Sequence, residues 1–186
     1  MIIRKANKGD LESIMKMYKS CVKGMIKNGI DQWDDTYPNE KIINEDLSTG
    51  TYYVAETDGT IIGGINIDQN QDDTYLPLEW KDKSNAFLVV HRLGVKEEFW
   101  NKNIGKDLML FTESLVIKKG LDSIRLDTYS GNLKAMQFYI RLGYTEIGTI
   151  NLKIHKNKFK SKRMVDKSSS TRKQRCYQIL GKQLVW

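Results

Sequence analysis

The stretch from residue 86 to residue 142 restricts the fold more than any other part of the chain. Residues 86–95 (AFLVVHRLGV) form the longest β-rich run among the 186 residues. A short polar loop follows, and residues 102–119 then turn to helical spacing, with Ile104, Leu108, Phe111, Leu115 and Val116 on one side. Residues 123–128 (SIRLDT) read as a strand, and residues 132–142 as a helix closed by Gly143. This strand–helix–strand–helix succession comes after a half of a different kind. Residues 1–5 read as a strand. Asp10 is placed to cap a helix whose apolar face holds Leu11, Ile14, Met15, Tyr18, Val22, Met25 and Ile26, ending near Asn28-Gly29. Residues 41–48 suit a second short helix, and residues 51–56 and 60–68 flank Asp58-Gly59, a dipeptide suited to a hairpin turn. With strands expected at 148–154 and 175–186, the order is β-α-α-β-β-β-α-β-α-β-β. A mostly antiparallel half followed by alternating strands and helices predicts an α+β (mixed α/β) architecture in one domain spanning 1–186.

Charge is distributed unevenly along this order. The chain carries 30 Lys+Arg and 23 Asp+Glu, a formal net charge of +7. Residues 151–186 hold 11 of those bases and one acid, Asp166, so residues 1–150 are mildly acidic. The excess concentrates in residues 155–174, which include KNKFKSKR and SSSTRKQ and few apolar side chains. A basic, flexible insertion is expected there. Such a patch could attract a polyanion, but the acidic body gives no sign of nucleic-acid binding, and a nucleic-acid partner is not expected. Two cysteines and two histidines are too few for a disulfide framework or a protein-built metal site, and no metal is expected. The N-terminal residues lack the apolar core of a signal peptide, and no run approaches the ~20 apolar residues of a membrane span. A cytoplasmic protein without a membrane partner is the expectation.

Two segments could carry chemistry. Where the strand ends at Val95 and a helix opens around Asn103-Ile104-Gly105-Lys106, free backbone N–H groups and the positive end of the helix dipole form a ready anion site. Gly105 would let a phosphate approach the backbone, and Lys102 and Lys106 add charge. The spacing alone equally describes an ordinary turn with a packing glycine. In LDTYSGNLKAMQFYIRLGY, Asn132 is a natural N-cap, and Ala135, Phe138, Tyr139 and Leu142 share a helical face. A simple core helix would show the same residues.

Taken together, in this order and at this separation, the two segments resemble motifs A and B of the GCN5-related N-acetyltransferase (GNAT) superfamily. The phosphate-loop pattern Q/R-x-x-G-x-G/A falls on Trp100-Asn101-Lys102-Asn103-Ile104-Gly105, with Trp100 in place of Gln/Arg and Asn103 in place of the first glycine. The later pattern N-x-x-A-x-x-[F/Y]-Y-x-x-x-G-F/Y is matched by Asn132, Ala135, Phe138, Tyr139, Gly143 and Tyr144. The stretches GID-QWDD-YP, HRLGV and IRLDTYSGN are similar to a bacterial subgroup. The resemblance covers residues 1–154. Asparagine tolerates left-handed backbone, so Asn103 can replace the glycine. Trp100 cannot donate as an arginine would, and Lys102 and Lys106 are left to compensate.

The resemblance implies a central, twisted, mixed sheet of six to seven strands flanked by helices, with central parallel strands splayed apart. It implies acetyl-CoA as co-substrate in that cleft. Leu93, Gly94 and Val95 would contact the pantetheine arm, and an N–H near Leu93 would steady the developing oxyanion. Trp100, Asn101, Lys102, Asn103, Ile104, Gly105 and Lys106 would hold the pyrophosphate, and Asn132 would reach the pantetheine region. The implied reaction is direct attack by a primary amine on the thioester within a ternary complex, with Tyr139 as general acid to the leaving thiolate. Glu79, His91 and Asp127 are candidates for the base. Gln32, Trp33, Asp34, Asp35 and Tyr37, together with Trp80, His91 and Asp127, are candidates for holding a cationic acceptor through ring faces and carboxylates. The acceptor would be a small-molecule or protein amine, and a homodimer is compatible with the resemblance. Two other readings stay open: an acyl-CoA-binding sensor with weak catalysis, suggested by Trp100 and Asn103, and an RNA- or ribosome-associated protein using the basic segment.

Overall fold

The computed structural model describes residues 1–155 and 158–168, with backbone alone described for 152–155 and 158–161. Four helices pack on one seven-stranded sheet. In chain order the elements are β1 (Ile2–Lys5), α1 (Leu11–Lys27), α2 (Glu40–Thr49), β2 (Tyr52–Thr57), β3 (Thr60–Asp68), β4 (Phe87–Val95), α3 (Ile104–Lys118), β5 (Ser123–Tyr129), α4 (Leu133–Arg141), β6 (Thr145–His155) and β7 (Lys158–Ser168). The sheet order is β1-β2-β3-β4-β5-β7-β6. β4 and β5 run parallel, and the other neighbouring pairs are antiparallel. This is the mixed α+β sheet expected from the order of elements. No helix among the described residues is long and apolar enough to cross a membrane.

Local sequence explains most of the boundaries. Asp58 and Gly59 both take positive φ (49° and 72°), as a two-residue hairpin turn requires. Asn39 caps α2 by accepting from the Ile42 N–H, and Gly50 closes it in left-handed backbone at φ 67°. The start of α1 differs from expectation. Asp10 has helical backbone and makes no side-chain cap bond. Asn7 instead caps a short 3-10 turn, while the Asp10 carboxylate accepts from the Asn7 N–H and from Arg4. An arginine six residues upstream competes for the aspartate, and the neighbouring asparagine takes the capping role.

The segment expected to be a flexible insertion at 155–174 needs correction. Over Lys158–Ser168 it is β7, which slots between β5 and β6 and pairs with both. Met164, Val165 and Asp166 are fully buried there. An interior strand has its backbone satisfied on both sides, so two apolar side chains suffice to seat it despite the basic composition. The strand expected at 175–186, and residues 169–174, lie outside the described residues.

The sheet carries two cores. α3 and α4 cover one face, with Leu108 of α3 packed among Ile62, Ile65, Leu88 and Leu126 of the strands. α1 and α2 cover the other, setting Ile14, Met17 and Ile43 against Tyr52 and Val54 of β2. Between these layers, β4 and β5 pair only from Phe87↔Ser123 to Val90↔Leu126 and then part, although β4 runs on to Val95 and β5 to Tyr129. The parting coincides with a bulge: Gly64 pairs with Gly94 and Asn66 with His91, so Arg92 and Leu93 oppose Ile65 alone. Arg92 sits at φ 53°. Its carbonyl accepts from the Tyr18 hydroxyl at 2.6 Å, and the Tyr52 hydroxyl donates to Tyr18 at 2.8 Å. The bulge also reverses side-chain parity. Leu93 and Val95 join Leu88 and Val90 on the α3 face, so His91 does not share their side as plain strand alternation predicts. Two glycines make room for the phenols: a Cβ on Gly94 would lie 2.8 Å from the Tyr18 ring, and one on Gly64 would lie 2.3 Å from the Tyr52 hydroxyl. Gly94→Ala is therefore expected to lower stability by about 1–3 kcal/mol through overpacking, read as a fall in the urea midpoint.

Candidate functional site

The parted strands open into a cleft of about 1340 Å³. It runs from the N-terminus of α3, past the ends of β4 and β5, to the loop joining α1 and α2. That exceeds the roughly 300–1,000 Å³ of a typical single-ligand pocket, and leaves room for a long ligand and a second reactant.

At one end lies the β4–α3 loop. Asn101 and Asn103 both adopt left-handed backbone, at φ 62° and 63°. Asn103 thus supplies the turn expected of the missing glycine. The first intrahelical bond runs from the Asp107 N–H to the Asn103 carbonyl at 2.9 Å, so the N–H groups of Ile104, Gly105 and Lys106 have no partner within the helix. All three residues line the cleft. A Cβ on Gly105 would meet only Phe138, at an ordinary 3.4 Å. Packing does not demand a glycine there, which leaves close approach of a ligand to bare backbone as its reason. Trp100 also lines the cleft, but its indole N–H donates to the Val95 carbonyl at 2.8 Å and its ring lies against Gly24 of α1. It pins the loop to the fold and engages one of the main-chain groups expected to face pantetheine. Lys106 borders the cleft. Lys102 does not, and its ammonium sits over the Phe99 ring at 4.8 Å.

In the middle, Leu93, Val95, Asn132 and Tyr139 border the opening, together with Thr128 at the end of β5. Gly94 does not, because its open face is filled by Tyr18. Asn132 is 6% exposed and its amide is engaged at both ends. Its oxygen caps α4 by accepting from the Ala135 N–H, and its nitrogen donates to Gln32 at 2.6 Å. The tie to Gln32 joins the α1–α2 loop to α4 across the cleft. Tyr139 is buried edge-on against Phe138 and Tyr144. Burial, and behind it the negative charge of Asp127, pushes its phenol above the ordinary value.

Trp33, Tyr37, His91 and Asp127 also line the cleft, as do Arg92 and Lys162. Trp33 is largely core, its ring edge-on to Tyr18. The Asp127 carboxylate accepts from the Tyr75 hydroxyl at 2.7 Å on one oxygen and from the Lys162 ammonium on the other. Burial alone would raise the Asp127 carboxyl. The lysine and the phenol outweigh it and hold the group below the usual carboxylate range. Arg92 makes a two-pronged ion pair with Asp46 of α2, at 2.9 and 2.6 Å. His91 lies 3.1 Å from Asp68 and 3.2 Å from the Asn70 carbonyl.

Four other expected site residues lie away from the cleft. Asp35 is exposed. Asp34 folds its own turn, accepting from the Thr36 N–H and hydroxyl. Glu79 is exposed. Trp80 is buried in a separate small core, donating to the Tyr75 carbonyl and stacked under Arg125. An acid beside a tryptophan suggested a site, but the 3-10 turn Asp73–Tyr75 carries the tryptophan inward and leaves the acid in water. Arg92, Lys162 and Tyr75 were not anticipated. Lys162 reaches Asp127 only because β7 pairs with β5 across 35 positions, for which the sequence holds no local signal. Among the described residues no group of three His, Cys, Asp or Glu side chains could hold a metal ion.

Residues 11–144 match the family model described as Acetyltransferase (GNAT) family, well over half of the chain. The chain belongs to the GNAT acetyltransferase family. It is an acetyltransferase, and the match takes in β4, the loop before α3 and α4. A spermidine N(1)-acetyltransferase of Thermoplasma acidophilum is 28% identical over 153 residues, covering 76% of this chain and 86% of that protein. A GNAT acetyltransferase structure from Streptococcus agalactiae superposes with a TM-score of 0.75 at 22% identity, over 90% of this chain and 94% of that one. A Salmonella typhimurium structure described with its cofactor acetyl-CoA has a TM-score of 0.65 at 14% identity, over 90% and 93% of the two chains. At these identities the likeness is one of fold. In this acetyltransferase the left-handed turn at Asn103 is a defined requirement. Asn103→Val, placing a β-branched residue at positive φ, is expected to cost about 1–3 kcal/mol, whereas Asn103→Gly stays near neutral; urea denaturation of the pair reads the difference.

Proposed function

We propose that this GNAT acetyltransferase transfers the acetyl group of acetyl-CoA to a primary amine by direct attack within a ternary complex. The observation that carries the proposal is the parting of β4 from β5 directly beside the open N-terminus of α3. One cleft thereby offers backbone donors for a pyrophosphate and a bare strand edge for an extended arm. The residues present fit that ligand: Gly105 has no packing duty, and Ile104, Gly105 and Lys106 direct unpaired N–H groups and a positive charge to the same end. Bound acetyl-CoA supplies an activated thioester.

The chain's own groups do the rest. Leu93 borders the gap where β4 has left β5, and its main chain is the candidate to orient the thioester. Holding amine and thioester side by side supplies much of the rate. The Tyr139 hydroxyl, kept protonated by its burial, hydrogen-bonds the sulfur as charge develops and gives up its proton as the C–S bond opens. Asp127, held ionised, orients the acceptor nitrogen, with Trp33 and Tyr37 forming the apolar wall around it. His91, fixed by Asp68, lies on the path by which the ammonium proton leaves. Glu79, exposed and outside the cleft, has no part in this proposal. An amine acceptor also agrees with the likeness to a spermidine acetyltransferase.

Calorimetric titration with acetyl-CoA, followed by CoA-release assays on an amine panel, tests the proposal. Binding with turnover is expected; binding without turnover would point to an acyl-CoA sensor, and no binding would overturn both. Tyr139→Phe is expected to cut turnover by about tenfold or more while leaving acetyl-CoA affinity nearly unchanged. Unchanged turnover would remove Tyr139 from the mechanism.

A further inference from the structure

We propose that the acceptor carries a carboxylate beside its amine, as an amino acid does, and that Lys162 of β7 is the residue that selects for it. The proposal rests on the acetyl-transfer reading above and names the substrate class of the same site.

The acceptor end of the cleft contains matched charges. Asp127 is already engaged by Lys162, and the two side chains are 14% and 20% exposed. Arg92 is matched to Asp46, with 14% and 11% exposed. His91 in turn faces Asp68 at 3.1 Å. The charged and titratable groups here come from every surrounding element: Asp46 from α2, Asp68 from β3, His91 and Arg92 from β4, Asp127 from β5, Lys162 from β7, and the phenols of Tyr37 and Tyr75 from the loops. Among the described residues, the carboxylates of Asp46 and Asp127 at this end each already face a cation.

The added charge of the acceptor therefore decides what fits. A polyamine brings only positive charge. Its ammonium at Asp127 would stand next to the Lys162 ammonium on the same carboxylate, in a recess where like charges are poorly screened. An acceptor with both signs keeps the alternation: its ammonium faces Asp127, and its carboxylate faces Lys162, whose three N–H donors are not exhausted by one aspartate oxygen. Lys162 serves the reaction in the same arrangement. A cation close to the acceptor nitrogen favours its neutral form, which is the form that attacks. The ammonium loses one proton to solvent before attack, the C–N bond forms as the C–S bond breaks, the sulfur takes the Tyr139 proton, and the second N–H proton, released as the amide forms, restores the Tyr139 phenol. Lys162 lies beyond residues 11–144, so it belongs to this chain's own C-terminal strand and not to the part the family model matches.

The test compares α-amino acids with their decarboxylated amines (phenylalanine with phenethylamine, lysine with cadaverine) and with spermidine, using the full chain and acetyl-CoA. Each amino acid is expected to exceed its decarboxylated partner by about tenfold or more in kcat/KM, the scale of one charge-assisted contact. In Lys162→Met the amino acids should lose that advantage mainly through KM, and spermidine should improve. Lys162→Arg should keep the wild-type order and controls for folding of the strand. Wild-type turnover of spermidine or of the decarboxylated amines at an equal or higher kcat/KM would overturn the proposal. So would acetyl-CoA binding with no amino acid acetylated. Absence of acetyl-CoA binding in calorimetry would instead sink the acetyl-transfer reading beneath it.

Discussion

The separation of β4 from β5 beyond Val90 and Leu126 is the constraint on which the rest of this molecule depends. Two parallel strands that continued to pair would close the sheet and leave no cleft. They part because β4 carries an extra residue at Arg92, whose left-handed backbone turns its carbonyl to the Tyr18 hydroxyl on α1. The buried Tyr52–Tyr18–Arg92 chain satisfies the Arg92 carbonyl, as a buried backbone acceptor requires. Glycines at 64 and 94 are the steric condition for those two phenols to lie flat on the sheet. The same bulge swings Leu93 and Val95 to the α3 face and leaves His91 off that face. One backbone irregularity thus sets which side chains each part of the cleft receives.

Electrostatics inside the cleft follow a second rule: charges that leave water are matched. Arg92 with Asp46, Lys162 with Asp127 and Lys167 with Glu113 are all largely buried pairs. Such pairs contribute little net stability, because desolvation offsets the Coulomb attraction, but breaking one leaves a buried charge uncompensated. They fix positions more than they add stability. Two of the cations, Lys162 and Lys167, belong to the C-terminal basic region. Part of what composition presents as a polyanion-attracting surplus is therefore internal wiring of the acetyltransferase site.

The two motif segments were legible because their chemistry is local. A loop that opens a helix with unpaired N–H groups needs a residue tolerant of positive φ, and Asn103 declares itself. The same holds for Asn132 as a cap and for the turn at Asp58-Gly59. What Trp100 does instead of an arginine was not legible, because it holds the loop through its indole. Its indole role depends on Gly24, 76 positions earlier, and no local pattern reports that contact. Asp10 failed as a cap for a similar reason, once Arg4 had claimed its carboxylate.

By itself the sequence determined the succession of elements through residue 144, the hairpin, the turn that opens α3 and the family, because each rests on periodicity, capping or short-range backbone preference. Only the tertiary structure decided that residues 158–168 are an interior strand, that Lys162 stands against Asp127, and that Glu79 and Trp80 point away from the cleft. These depend on which strands become neighbours. Strand order is settled by global packing of the two cores, and that information is spread over the whole chain, absent from any one stretch of it.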